Sequence, residues 1–128
     1  MQNTINNMDV FPYRKLFVYQ HSMTLAHIVN ELIKTFPSSE RFALSDQLHR
    51  ASISICSNIA EGVSRYSGNE EGYFISMAFG SLNEVMCQIE LAYDYKYISE
   101  DQLKLVENEY LSISKMLSGL RKSFMQKK

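Results

Sequence analysis

Apolar residues recur along this chain at alternating intervals of three and four, the spacing of helices that bury one face. The clearest run is Leu103, Val106, Tyr110, Ile113, Leu117, Leu120 and Phe124, an unbroken seam of the kind that lines a helical bundle. Ser99-Glu100-Asp101-Gln102 stands before it. In that capping box the Ser and Gln side chains each take a free backbone N–H at the helix start. A second box, Ser67-Gly68-Asn69-Glu70, opens the preceding helix. Its predicted core face is Phe74, Met77, Ala78, Ser81, Leu82, Val85, Ile89 and Ala92. A further stripe of Ile75, Phe79, Met86 and Tyr93 implies that this helix meets more than one neighbour.

Two more helices are predicted upstream. One spans about Tyr13 to Phe36, carries Val18, Leu25, Ile28, Val29, Leu32 and Phe36 in line, and stops at Pro37. Ser38 and Ser39 offer the next N-cap. The following helix, about Glu40 to Glu61, aligns Leu44, Leu48, Ala51, Ile55 and Ile59, widened by Ile53, Cys56 and Ala60. Gly62 is placed to end it in the left-handed conformation. Helices of roughly 20–25 residues are about 30–38 Å long. Short connections make sequential helices antiparallel. The expected fold is all-α, an antiparallel up-down-up-down four-helix bundle. It would occupy residues 13–124, between a flexible N-terminal arm at 1–12 and a basic C-terminal tail at 125–128.

Composition narrows the class. The chain has 128 residues, enough to bury a core without a disulfide or metal staple. Five Gly and two Pro disfavour a turn-rich β fold. Cys56 and Cys87 lie in apolar helical patterns, and both read as small core residues of a cytoplasmic protein. No secretory signal is expected at the N-terminus, and no apolar run is long enough to cross a bilayer. Thirteen basic against fourteen acidic side chains, a net charge of −1, exclude a protein that is basic all over.

Few residues suggest chemistry. No Glu is followed by His three positions on, so the di-iron bundle signature is missing, and Asp46-x-x-His49 stands alone. There is no Gly-x-Ser-x-Gly elbow and no phosphate-cradling glycine loop. His27 and His49 read as isolated helical histidines. Arg14 followed by His21 resembles the Arg–His element of helical RNA-cleaving toxins, a cation beside a general base. The alternative is two polar residues near a helix start. No catalytic residue, metal or cofactor is expected.

From Phe42 the chain reads FALSDQLHRASISICSNIAEGVSRYSGNEEGYFISMAFGSLNEVMCQIELA. The pieces Leu44–Leu48 with Arg50, Ser54, Ser57-Asn58-Ile59-Ala60-Glu61-Gly62, Arg65 and Gly80-Ser81-Leu82-Asn83-Glu84 carry a family likeness. So do Glu90-Leu91-Ala92, Met116-Leu117 and Gly119-Leu120. Over roughly residues 14–122 the chain resembles proteins encoded in intervening sequences of bacterial large-subunit ribosomal RNA genes. The accessory variability determinant proteins of diversity-generating retroelements belong to the same group. The resemblance implies a ring-shaped homopentamer with a central channel and a role beside nucleic acid or a ribonucleoprotein. Retroelement members are strongly basic, and this chain departs from them.

The motif residues Arg50, Asn58, Glu61, Gly62, Glu84 and Glu90 can also be read as an ion-pair network fixing helix register, with Glu84 and Glu90 as partners for Arg50. Small Gly80 and Ser81 would let another helix approach, making Ile75, Phe79 and Met86 a candidate subunit interface or a wide core stripe. The topology gathers Arg14, Lys15, Arg65, Arg121, Lys122, Lys127 and Lys128 at one end, against Asp9, Glu61, Glu70 and Glu71. In a cyclic assembly these ends share one rim. The rim would meet RNA phosphates or an acidic protein, with Tyr13 and Tyr66 available for stacking. Alternatively, the lysines complement the helix dipole and keep the tail soluble. The function expected is a non-enzymatic oligomeric scaffold or adaptor associated with nucleic acid or a ribonucleoprotein. A purely protein-binding module and, more remotely, a helical ribonuclease are the alternatives.

Overall fold

In the computed structural model, residues 11–65 and 67–125 are described, with the side chain of Met125 excepted. Most of the expected arm, Tyr66 and residues 126–128 of the expected tail, Lys127 among them, lie outside these; Met125 is still in the last helix. Four helices form: α1, Phe17–Ile33; α2, Leu44–Val63; α3, Gly68–Asp94; and α4, Glu100–Met125. Each packs on its neighbours in sequence, and α1 closes the ring against α4, which is an up-down bundle. Contact is most extensive between α2 and α3.

The core is the set of stripes the spacing marked. Leu25, Val29, Leu48, Ile55, Ile59, Leu82, Val85, Ile89, Val106, Ile113 and Leu117 are all but fully buried. Each such side chain contributes about 1.5–3 kcal/mol relative to exposure. Two buried serines are satisfied within their own helices: Ser22 Oγ donates to the Val18 carbonyl at 2.8 Å and Ser52 Oγ to the His49 carbonyl at 3.0 Å.

The first helix is shorter at its start than the periodicity suggests. Pro12–Lys15 form a separate 3₁₀ turn, and Leu16 is extended (φ −77°, ψ 128°) before α1 begins. Proline suits the first position of such a turn because it has no N–H to leave unpaired. The second helix also starts late. Ser38–Glu40 make a 3₁₀ turn, and the N-cap position belongs to Ala43 rather than to a serine. Glu40 serves there instead: its Oε1 accepts the Leu44 N–H at 3.3 Å. Its Oε2 accepts the Tyr97 hydroxyl at 2.7 Å, which ties the α1–α2 connection to the α3–α4 connection. That carboxylate, by accepting the proton, holds the Tyr97 phenol above its ordinary range.

Both capping boxes supply their serine. Ser67 Oγ accepts from the N–H groups of Asn69 and Glu70. At Ser99 the exchange is reciprocal: Gln102 N–H donates to Ser99 Oγ at 3.2 Å, and Ser99 N–H to Gln102 Oε1 at 2.8 Å. The end of α3 had no sequence signal. Lys96 sits at φ 67°, with Lys96 N–H donating to Tyr93 O at 2.9 Å and Tyr97 N–H to Ala92 O at 2.8 Å. This is a Schellman motif with lysine where glycine is usual.

Gly62 does not take the left-handed conformation expected of it, since no described glycine has positive φ and α2 runs on to Val63. Its role is close packing. A Cβ there would stand 3.1 Å from Phe74 Cβ and 3.4 Å from the Glu71 carbonyl oxygen. Three further sequence expectations change. Met77 is 46% exposed and Ile53 47%, each outside the apolar face assigned to it. Cys87 is exposed, while Cys56 is buried as expected. Among the described residues no helix is long and apolar enough to cross a membrane.

Candidate functional site

The start of α1, the end of α2, the start of α3 and the end of α4 share one end of the bundle. Cations suit the last turns of α2 and α4, where backbone carbonyls lack partners. Three arginines there each lie across an aromatic ring. Arg14, in the 3₁₀ turn, stands 4.1 Å from the centroid of Phe11; Arg65, just past α2, 4.8 Å from Phe74; and Arg121, in α4, 4.6 Å from Phe79. The ring quadrupole attracts a guanidinium by about 0.5–1 kcal/mol at such sites. Stacking fixes its plane and uses the ring-facing side of the guanidinium rather than its N–H edges. Arg65 also bonds Glu61 one turn back, and its Nε has no hydrogen-bond partner among the described residues. Arg14 and Arg121 make no ion pair with a described carboxylate. Lys15 and Lys122 are exposed.

Aromatic surface accompanies these cations, though not from the residues expected. Tyr13 packs edge-on against Tyr19 at 4.9 Å and Phe11 at 6.3 Å. Phe17 and Tyr73, at 73% and 60% exposure, are the described rings most open to solvent at this end. Each lies one or two positions off a core stripe (Val18; Ile75), which is the sequence signal that could have found them.

The motif residues form local bonds. Arg50 pairs with Asp46 on its own helix at 3.0 Å and reaches neither Glu84 nor Glu90, the partners expected for it. The i,i+4 carboxylate lies on Arg50's own exposed face, which is why it wins. Asn58 Nδ2 donates to the Ser54 carbonyl at 2.9 Å and to Ser54 Oγ at 3.0 Å. Ser81 Oγ donates to Ser54 Oγ at 2.7 Å, across from α3 to α2. Together with Gly62, these small polar groups let α2 and α3 approach closely. Glu84 and Glu90 are exposed and outside any ion pair among the described residues.

Of the candidate subunit stripe, Ile75 is fully buried in the core and out of reach of another copy. Phe79 is half-covered by Arg121, and Met86 is partly buried against the core. The outer face of α3 instead carries Tyr73, Met77, Gly80, Glu84, Cys87 and Leu91, all exposed and again at intervals of three and four.

The Arg14–His21 pair has other engagements. His21 Nδ1 lies 3.0 Å from Glu109 Oε1, joining α1 to α4, while Arg14 rests on Phe11. Burial pushes the Cys56 thiol up to about 11, which disfavours a reactive thiolate. Among the described residues no three His, Cys, Asp or Glu side chains gather as metal ligands.

The profile of the 23S rRNA-intervening sequence protein family matches residues 14–119. The chain belongs to that family. Its matched region runs from Arg14 of the 3₁₀ turn to Gly119, so it takes in α1, α2 and α3 and most of α4. A solved structure agrees: a protein of unknown function from the S23 ribosomal protein family, from Bacteroides thetaiotaomicron, is 26% identical. It superposes with a TM-score of 0.75 over 82% of this chain and 98% of the other. No curated protein matches.

Proposed function

We propose that this intervening-sequence family member is a non-enzymatic, cytoplasmic scaffold or adaptor that assembles as a ring of five. In this reading it meets RNA or a ribonucleoprotein through the arginine-bearing end of each bundle. The observation that carries the reading is the set of three guanidiniums lying on Phe11, Phe74 and Phe79 at that end. Exposed Phe17 and Tyr73 nearby offer stacking faces that tolerate any base. Cyclic assembly would align these ends on one rim and turn a weak contact per copy into a multivalent one.

The test is fluorescence anisotropy of a labelled single-stranded RNA across a salt series. One phosphate contact from each of five copies would weaken binding roughly a hundredfold between about 50 and 200 mM salt. Replacing Arg14, Arg121 and Lys122 with Gln should flatten that dependence while native mass stays unchanged. No binding at low salt by an assembled oligomer would refute the RNA reading. It would favour the protein-only module, for which the outer α3 face of Tyr73, Met77, Cys87 and Leu91 is the supporting observation. Native mass with and without ribonuclease treatment reports stoichiometry and bound RNA together. RNA incubated with the protein should stay intact, with His21→Ala no different.

A further inference from the structure

The seam between α3 and α4 opens into an outward groove that the proposed RNA-facing end does not use. Two depressions of about 410 Å³ each adjoin at Glu90. Met86, Leu103 and Tyr110, all partly buried, give it an apolar floor. The floor is held in place because the Tyr110 hydroxyl donates to Asn83 Oδ1 at 2.7 Å. Leu91 and Leu111 stand at its edges, 40% and 64% exposed.

Its charge is of one sign. Glu90, Glu107 and Asp94 line the groove, and none is ion-paired among the described residues. The nearby Lys104 is occupied by Glu100, at 3.6 Å. From Met86 to Asp94 the groove follows about 12 Å of α3, or two turns of a helix lying along it. Exposed leucines flanked by uncompensated carboxylates call for a partner with both complements. Apolar residues at intervals of three and four would fill the floor, and Lys or Arg beside them would face the three acids. RNA carries the wrong charge for this surface.

We propose that the α3–α4 groove docks a cationic amphipathic helix of a protein partner. Its apolar anchors lie over Met86, Leu103 and Tyr110, and its basic residues meet Glu90, Asp94 and Glu107. This assignment is independent of the RNA reading, since it uses a different face and the opposite charge.

The test uses the full chain and two fluorescein-labelled helical peptides of about 15 residues with the same leucine positions, one carrying Lys and the other Glu. The Lys peptide should bind saturably, one per chain, at least tenfold tighter than the Glu peptide. The double variant Glu90→Lys/Glu107→Lys should reverse that order, and Leu111→Asp should weaken the Lys peptide about tenfold. Glu31→Lys, on α1, should change nothing, and circular dichroism checks that each variant folds. Equal binding of both peptides, or unchanged binding by the double variant, would overturn the proposal. So would a drop in native mass of the double variant, which would assign the groove to a second copy.

Discussion

One substitution made at three glycines separates packing from helix propensity. Gly62, Gly80 and Gly119 all lie within helices, and none has positive φ. Gly→Ala at such positions gains about 0.5–1 kcal/mol, chiefly from lost freedom in the unfolded chain. At Gly80 and Gly119 the added methyl would meet nothing within 4 Å, so that gain should appear in full. At Gly62 the methyl would stand 3.1 Å from Phe74 Cβ and 3.4 Å from both the Glu71 carbonyl and Ile75 Cδ1. Optimal carbon contacts are about 3.5–4.0 Å. Phe74 Cβ is fixed to its backbone, so relief requires α3 to shift. Overpacking of this kind costs about 1–3 kcal/mol. Propensity cancels in the comparison, leaving Gly62→Ala about 1–3 kcal/mol below Gly80→Ala. For a chain of this size that is a melting temperature lower by roughly 4–12 °C. The assay is thermal unfolding followed by helical circular dichroism at one protein concentration. Gly62→Ala melting at or above Gly80→Ala would refute the account of Gly62 as the point of closest approach between α2 and α3.

Other expectations follow from single observations. Lys96→Gly should raise stability by about 1 kcal/mol in urea unfolding, because glycine takes positive φ without strain. Ile113→Ala, which empties a fully buried position on α4, should cost about 2–5 kcal/mol by the same measurement. A chromogenic disulfide should titrate one thiol quickly in the native protein, exposed Cys87, and Cys56 only after denaturation. The Cys56 thiol has its pKa raised from 9.0 to about 11, so the folded state holds that proton longer than the unfolded chain. Its contribution to stability should therefore be intact below pH 9 and lost as the pH rises towards about 11.

The four helices were legible because one face of each is apolar with the right period, and because Ser67 and Ser99 stand where a cap is needed. The periodicity of α4 gave its buried face almost residue for residue. The third helix was harder for a physical reason. Two apolar lines run along it, one through Phe74 and Met77 and one through Ile75 and Phe79, and spacing alone does not say that Ile75 is buried while Met77 is exposed. The arginines at one end followed from topology, but their aromatic seats depend on interhelical geometry. The expected partners of Arg50 failed because Asp46, one turn back on the same exposed face, meets it first. The turn at Lys96 carried no signal, since lysine pays a steric cost there that tertiary structure overrides.

The bond from Tyr97 to Glu40 has a mechanical meaning. It clasps the tips of the two helical hairpins, α1–α2 and α3–α4, at the end remote from the three seated arginines, and the rings of Phe36 and Tyr97 meet beside it at 5.3 Å. The seam between the hairpins, α2 against α3, is already the most extensively packed in the bundle. The clasp therefore adds a polar stop at its far tip, and Tyr97→Phe would remove that stop without touching the arginine-bearing end.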